Sequence, residues 1–210
     1  MGNLFAQFRI QASAALLSST PLVVAAMEGH DKVVELLLRR DDVQVNQANN
    51  TGATPLIVAA QEGHEKVVEL LLRKNDIHVN HARDGGDTPL IMAATYGHDK
   101  VVALLLDKVG IAVNQAANDG VTPLFVAAMK GHERVVNMLL HKVGIQVNLA
   151  TINGNTPLMK AAQKRHGRVV EMFLRTAAIQ AIGWNGWRPH RRISAPPQLP
   201  VGYNGPRIVI

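Results

Sequence analysis

Residues 54–87 read TPLIVAAQEGHEKVVELLLRKNDIHVNHARDGGD, and residues 88–121 spell the same pattern again. The tripeptide Thr-Pro-Leu opens at Thr20, Thr54, Thr88, Thr122 and Thr156, always at a spacing of 34 residues. An Ala-Ala pair follows in each copy, from Ala25-Ala26 to Ala161-Ala162. Gly-His comes next at Gly29-His30, Gly63-His64, Gly97-His98 and Gly131-His132, then Val-Val and a leucine-rich turn. Val-Asn closes four units at Asn46, Asn80, Asn114 and Asn148, and a loop glycine precedes the next unit at Gly52, Gly86, Gly120 and Gly154. A fixed period of this length means stacked supersecondary units, none of which can bury its apolar face alone.

Each mark has a physical role. Thr accepts from a free amide of the first helical turn, and Pro at the first helical position forfeits no hydrogen bond. Thr54-Pro55 therefore predicts a helix over about 56–62, ended by Gly63 in the left-handed conformation. His64 and Glu65 open a second helix, and the recurring histidine is read as capping it. Glu69 stands four residues before Arg73 on its wet side. Val67, Val68, Leu71 and Leu72 supply an apolar stripe, and the small Ala59 and Ala60 allow close approach. Asp42, Asp76, Gly110 and Gly144 share one register after the second helix, where a left-handed residue is expected to stop it.

The pattern resembles the ankyrin repeat over residues 20 to about 180. The resemblance implies an all-α solenoid of stacked helix-turn-helix units with projecting β-turn loops. Two departures stand out. The unit has 34 residues in place of 33, the extra one falling after the second helix. The histidine that often follows Thr-Pro-Leu is replaced by Val23, Ile57, Ile91, Phe125 and Met159, which are expected to add core.

The domain reading is a degenerate N-terminal cap or partial repeat at 1–19, a repeat domain at 20–182, and a flexible Pro/Gly/Arg-rich tail or decayed sixth repeat at 183–210. Asn185-Gly186-Trp187-Arg188-Pro189 echoes the opening of a further unit, with Arg in place of Thr. The break in composition also fits a truncated or frame-shifted reading frame. Met1-Gly2 stands near a myristoylation start, but the favoured Ser or Thr is absent where Ala6 stands.

Composition narrows the chemistry. No apolar run approaches the ~20 residues of a membrane-spanning helix. Cysteine is absent, which suits the cytoplasm, the expected compartment, with the nucleus as the second choice. Residues 20–174 contain no serine, so Ser or Cys nucleophiles are missing there, and no glycine-rich phosphate loop appears. Five histidines share one register, at 30, 64, 98, 132 and 166. Stacked units set equivalent atoms ~10 Å apart, too far to share one zinc with ~2.1 Å bonds. His78 and His81 form a pair without a third ligand. No enzyme, cofactor or metal is expected.

What the resemblance implies is a monomeric scaffold or adaptor that binds a partner protein on the concave surface formed by inner helices and turn tips. The matching positions on the helices are Glu28, Glu62, Thr95, Tyr96, Met129, Lys130 and Lys164. At the turns they are Asp87, Asp119, Val121 and Asn155. The net charge of +6 lies wholly in the ends, since residues 20–174 carry 16 basic and 16 acidic side chains. The tail therefore offers an alternative, nucleic-acid or phospho-dependent binding. Trp184 and Trp187 could stack on bases, yet five arginines make a thin footprint for nucleic acid. Arg191-Arg192-Ile193-Ser194 resembles a basophilic kinase site, with Ser194 and Pro196 spaced as in a 14-3-3 ligand.

Within the neutral body the charge is ordered. Successive units from residue 20 carry −2, −2, −1 and +2, and residues 156–174 carry +3. The inner row repeats the order in single residues: Glu28, Glu62, Tyr96, Lys130, Lys164.

Overall fold

A computed structural model of the protein describes residues 19–181. The N-terminal remnant, Ser194 and the basic tail lie outside the described residues. Five first helices open at the five Thr-Pro marks: α1 Pro21–Met27, α3 Pro55–Glu62, α5 Pro89–Tyr96, α7 Pro123–Lys130 and α9 Pro157–Gln163. Five second helices alternate with them: α2 Asp31–Leu38, α4 Glu65–Leu72, α6 Asp99–Asp107, α8 Glu133–Leu140 and α10 Gly167–Ala181. First helices pack on first helices and second on second through the whole series. The result is a two-layer, all-helical solenoid.

The threonine caps form as their chemistry dictates. The hydroxyl oxygens of Thr20, Thr54, Thr88, Thr122 and Thr156 accept from the amides of Val23, Ile57, Ile91, Phe125 and Met159 at 3.2–3.4 Å. Each such cap stabilises its helix by about 1 kcal/mol. Ala26, Ala60, Ala94 and Ala128 are fully buried, where a larger side chain would push the first helices apart. Val67, Val68, Leu71 and Leu72 are buried as the stripe predicts. Glu69 and Arg73 pair at 2.7 Å on the exposed face.

Between units the chain folds back in a hairpin-like turn. The amides of Gly52, Gly86, Gly120 and Gly154 donate to the carbonyls three residues before, at 2.7–3.0 Å. Neighbouring turns are also joined: the amides of Asp84, Asn118 and Ile152 donate to the carbonyls of Thr51, Gly85 and Asp119. Glycine is needed at 86 for two reasons. Its φ is +85°, and a Cβ there would come within 2.5 Å of the Asn118 amide nitrogen.

Three expectations need correction. Asp42 and Asp76 are not left-handed; among the described residues the positive-φ positions are ten glycines and Arg165. Gly110 and Gly144, in the same register, do have φ of +84°, but lie in the loop beyond a helix that has already ended. The second helices therefore stop without them. Of the residues replacing the usual histidine, Val23, Ile57, Ile91 and Phe125 are buried, but Met159 is 55% exposed. Its neighbour would be a sixth unit, and the described residues include none.

The third correction concerns the repeated histidines. None of His30, His64, His98 and His132 caps its helix through the side chain. From the second unit onward each ring reaches instead into the preceding unit. Nε2 of His64, His98, His132 and His166 lies 2.9–3.1 Å from the carbonyl oxygens of Met27, Gln61, Thr95 and Met129. The ring nitrogen donates to a carbonyl that the end of the first helix leaves without an intrahelical partner.

Candidate functional site

The histidine bonds define the inner surface, because the carbonyl each one holds belongs to the residue just before an exposed side chain. Met27 precedes Glu28, Gln61 precedes Glu62, Thr95 precedes Tyr96, and Met129 precedes Lys130. Glu28, Glu62, Lys130 and Lys164 lie on the accessible side of the first helices, and Tyr96 is 50% exposed. Thr95 and Met129 are half-buried beside them. The structure thus brings Glu28, Glu62, Tyr96, Lys130 and Lys164 into one row along the first helices, one residue per unit. Helix packing sets the step at about 8–10 Å.

Row members keep most of their polar groups for other uses. Among the described residues, Glu28, Lys130 and Lys164 enter no ion pair. The Glu62 carboxylate accepts from the Gln61 side-chain amide at 2.9 Å. The Tyr96 ring stacks on His98, with centroids 6.2 Å apart and planes 19° from parallel. The Thr95 hydroxyl is turned inward and donates to the Ile91 carbonyl.

The turn residues are more committed. Asp87 is half-buried and pairs with Arg83 at 2.8 Å. Asp119 uses its carboxylate to accept from the Val121 amide, and the Asn155 carbonyl accepts from the Thr151 amide. Asp87, Asp119, Val121 and Asn155 therefore help to build the turns that carry them. Asp84, exposed at its turn tip, is a further acid at the edge of the same surface.

Two basic residues at the far end of the row, part of the +3 charge of residues 156–174, were not among the expected site residues. Arg165, exposed, follows Lys164 directly, and half-buried Lys160 lies one helical turn before it.

The outer face differs in kind. An ion pair spans each junction between units: Lys66 with Asp31, Lys100 with Glu65, Arg134 with Asp99, and Arg168 with Glu133, at 3.1–3.6 Å. The Arg134 hydrogen bond, with help from the Lys100 amide, holds the Asp99 carboxyl below the usual carboxylate range. A depression between α4 and α6 is lined by Glu65, Lys66, Glu69, Lys100, Leu104 and Asp107. His81 serves the fold, its Nε2 lying 3.2 Å from the Gly52 carbonyl. Among the described residues no group of three or more His, Asp or Glu side chains could hold a metal ion, and no helix is long and apolar enough to cross a membrane.

A family model of three ankyrin repeat copies matches residues 4–83 and again 76–151, and a model of the single ankyrin repeat matches residues 153–183. No curated protein matches the chain.

Proposed function

The chain belongs to the ankyrin repeat family, whose members are generally protein–protein interaction modules, and from that premise we propose that it is a non-catalytic scaffold or adaptor. Its partner is a protein bound across the inner helices and turn tips. One observation carries this reading: the unit repeats in its core and caps while the exposed inner row does not. Val-Val, Ala-Ala and Thr-Pro-Leu recur with little change, whereas the row runs acid, acid, aromatic, base, base. A core repeats because packing demands the same shapes at each layer. An exposed row is free of that demand, and individual side chains there suit an individual partner.

Rigidity supports the same reading. Each row residue but the last follows a carbonyl tied to the next unit. Little ordering of the surface is then required on binding, which lowers the cost of association.

Site-specific photo-crosslinking in the full chain tests the proposal. A photoreactive residue at Thr95, beside the row, is expected to capture the partner. The same residue at Ala103, on the outer helix α6, is expected to capture nothing specific. Capture from Ala103 alone, or from neither position, overturns the concave-surface reading.

A further inference from the structure

Resting on that reading, we infer that the inner row takes an extended protein segment of segregated charge. Its basic half lies over the first two units, its acidic half over the last two, and a side chain between them rests on Tyr96.

The argument begins with where charge is cancelled and where it is not. On the outer face every unit-to-unit junction carries an ion pair, so acid and base neutralise each other within 3.1–3.6 Å. On the inner row the two signs are kept apart. Glu28 and Glu62 stand at one end, Lys130 and Lys164 at the other, with Lys160 and Arg165 reinforcing the base. At about 8–10 Å per layer, Glu28 and Lys164 are ~40 Å apart. That is about five times the ~8 Å screening length at physiological ionic strength, so the ends cannot satisfy each other. What would neutralise them is a second molecule with the opposite order.

Geometry selects an extended one. A chain near full extension advances about 3.3–3.6 Å per residue. Each layer therefore matches about three residues, and a segment of ~12 residues spans the row. Tyr96 sits at the midpoint, held by its stack on His98, and gives the segment a pre-ordered apolar face on which to fix its register. A nucleic acid fits poorly, because a uniformly anionic strand could use only the basic end and would be repelled from Glu28 and Glu62.

Fluorescence anisotropy with synthetic peptides on the full chain tests this. The probes are peptides of ~12 residues with a central leucine. One carries its lysines in one half and its glutamates in the other; a second has the same composition but alternates them. A third, all-acidic peptide replaces the lysines by glutamates. The wild-type chain is expected to bind the segregated peptide at least about tenfold more tightly than the alternating one. The double variant Glu28→Lys, Glu62→Lys is expected to lose that preference and to favour the all-acidic peptide. Both positions are accessible helix ends, so the variant should fold; unchanged helical circular dichroism and melting confirm it. Equal affinity for segregated and alternating peptides, no binding by either, or an unchanged order of preference in the variant overturns the inference. Capture at Thr95 alongside any of those three results would leave the concave surface as the binding site and remove only the charge order.

Discussion

The imidazole of His98 closes over Gly63 so tightly that a Cβ on Gly63 would come within 2.5 Å of Nδ1. The same ring uses Nε2 to hold the Gln61 carbonyl at 2.9 Å. Gly63 has φ of +78°, so a side chain there meets two penalties, left-handed strain and a blocked imidazole. Gly63→Ala is expected to cost about 2–4 kcal/mol, roughly 1–2 of it from the backbone. In a His98→Ala background the ring is gone, and only the backbone part should remain. Denaturation of the four proteins of this cycle checks it. An identical cost of Gly63→Ala in both backgrounds would mean that the ring does not constrain the glycine.

Arg165 occupies in the fifth unit the place that glycine holds in the first four, and its φ is +61°. A non-glycine residue in that conformation costs about 1–2 kcal/mol. Among the described residues the other half of the constraint is missing here. Gly29, Gly63, Gly97 and Gly131 each face the next unit's histidine, and the described residues contain no sixth unit to supply one. Arg165→Gly should stabilise the last unit by about 1 kcal/mol, less than the full strain because glycine adds freedom to the unfolded chain. A melting temperature that stays level or falls would count against strain at Arg165.

The part of the fold that lies within one unit was legible, and the part that lies between units was not. Thr54, Pro55 and Gly63 act on amides and carbonyls a few residues away, so their identities predict their roles. The histidines look like caps in the same local view, yet their partners are 37 residues distant. Asn80 is a second case. Its side chain donates to the Gly110 carbonyl at 2.7 Å and accepts from the Ala112 amide at 2.9 Å, clamping the next loop with both ends of one amide. Asn46 and Asn114 do the same with their own neighbours. The periodic lysines at 74, 108 and 142 donate to the carbonyls of Leu38, Leu72 and Leu106 at the ends of the preceding second helices. Periodicity marks these residues as structural without naming the atom each one reaches. Met159 shows the converse, since its register matches buried Phe125 but no described layer covers it. For the candidate site, register places Glu28 through Lys164 on one surface in the order acid, aromatic, base, and only the structure reveals that an outer ion pair spans each junction between units.

Acid should act on the junction between the third and fourth units through Asp99. Its carboxyl is held low chiefly by the hydrogen bond from Arg134, at 3.1 Å. A carboxyl with a depressed folded value contributes stability that is present above the unfolded value of about 4 and is lost as pH falls through the folded one. The pair is largely exposed, so the effect is small and weakens with salt. Asp99→Asn should lower the melting temperature slightly at about pH 7, and the gap to wild type should close by about pH 2. A gap of the same size at both values would show that the substitution acts by some route other than charge.

Tyr96 separates an anchoring role from a steering role on the inner row. Its ring is the amphipathic surface at the centre of the row, half exposed and already ordered against His98. Aromatic residues in that position carry a disproportionate share of contact energy, through short-range packing that forms only after encounter. Glu28 and Lys164, at the two ends of the row, act at longer range and govern how partners approach. Tyr96→Ala should therefore weaken a bound partner by at least about 1–2 kcal/mol, mostly by faster dissociation. Glu28→Lys and Lys164→Glu should mainly slow association and alter its dependence on salt. Stopped-flow or surface-based kinetics at two ionic strengths resolves the two behaviours. If all three substitutions leave both rates untouched, the partner binds elsewhere on the molecule. Tyr96→Phe sharpens the test: it keeps the ring and its stack while removing the hydroxyl. Retained affinity in Tyr96→Phe beside loss in Tyr96→Ala would assign the contribution to the ring face, and equal loss in both would assign it to a hydrogen bond from the hydroxyl.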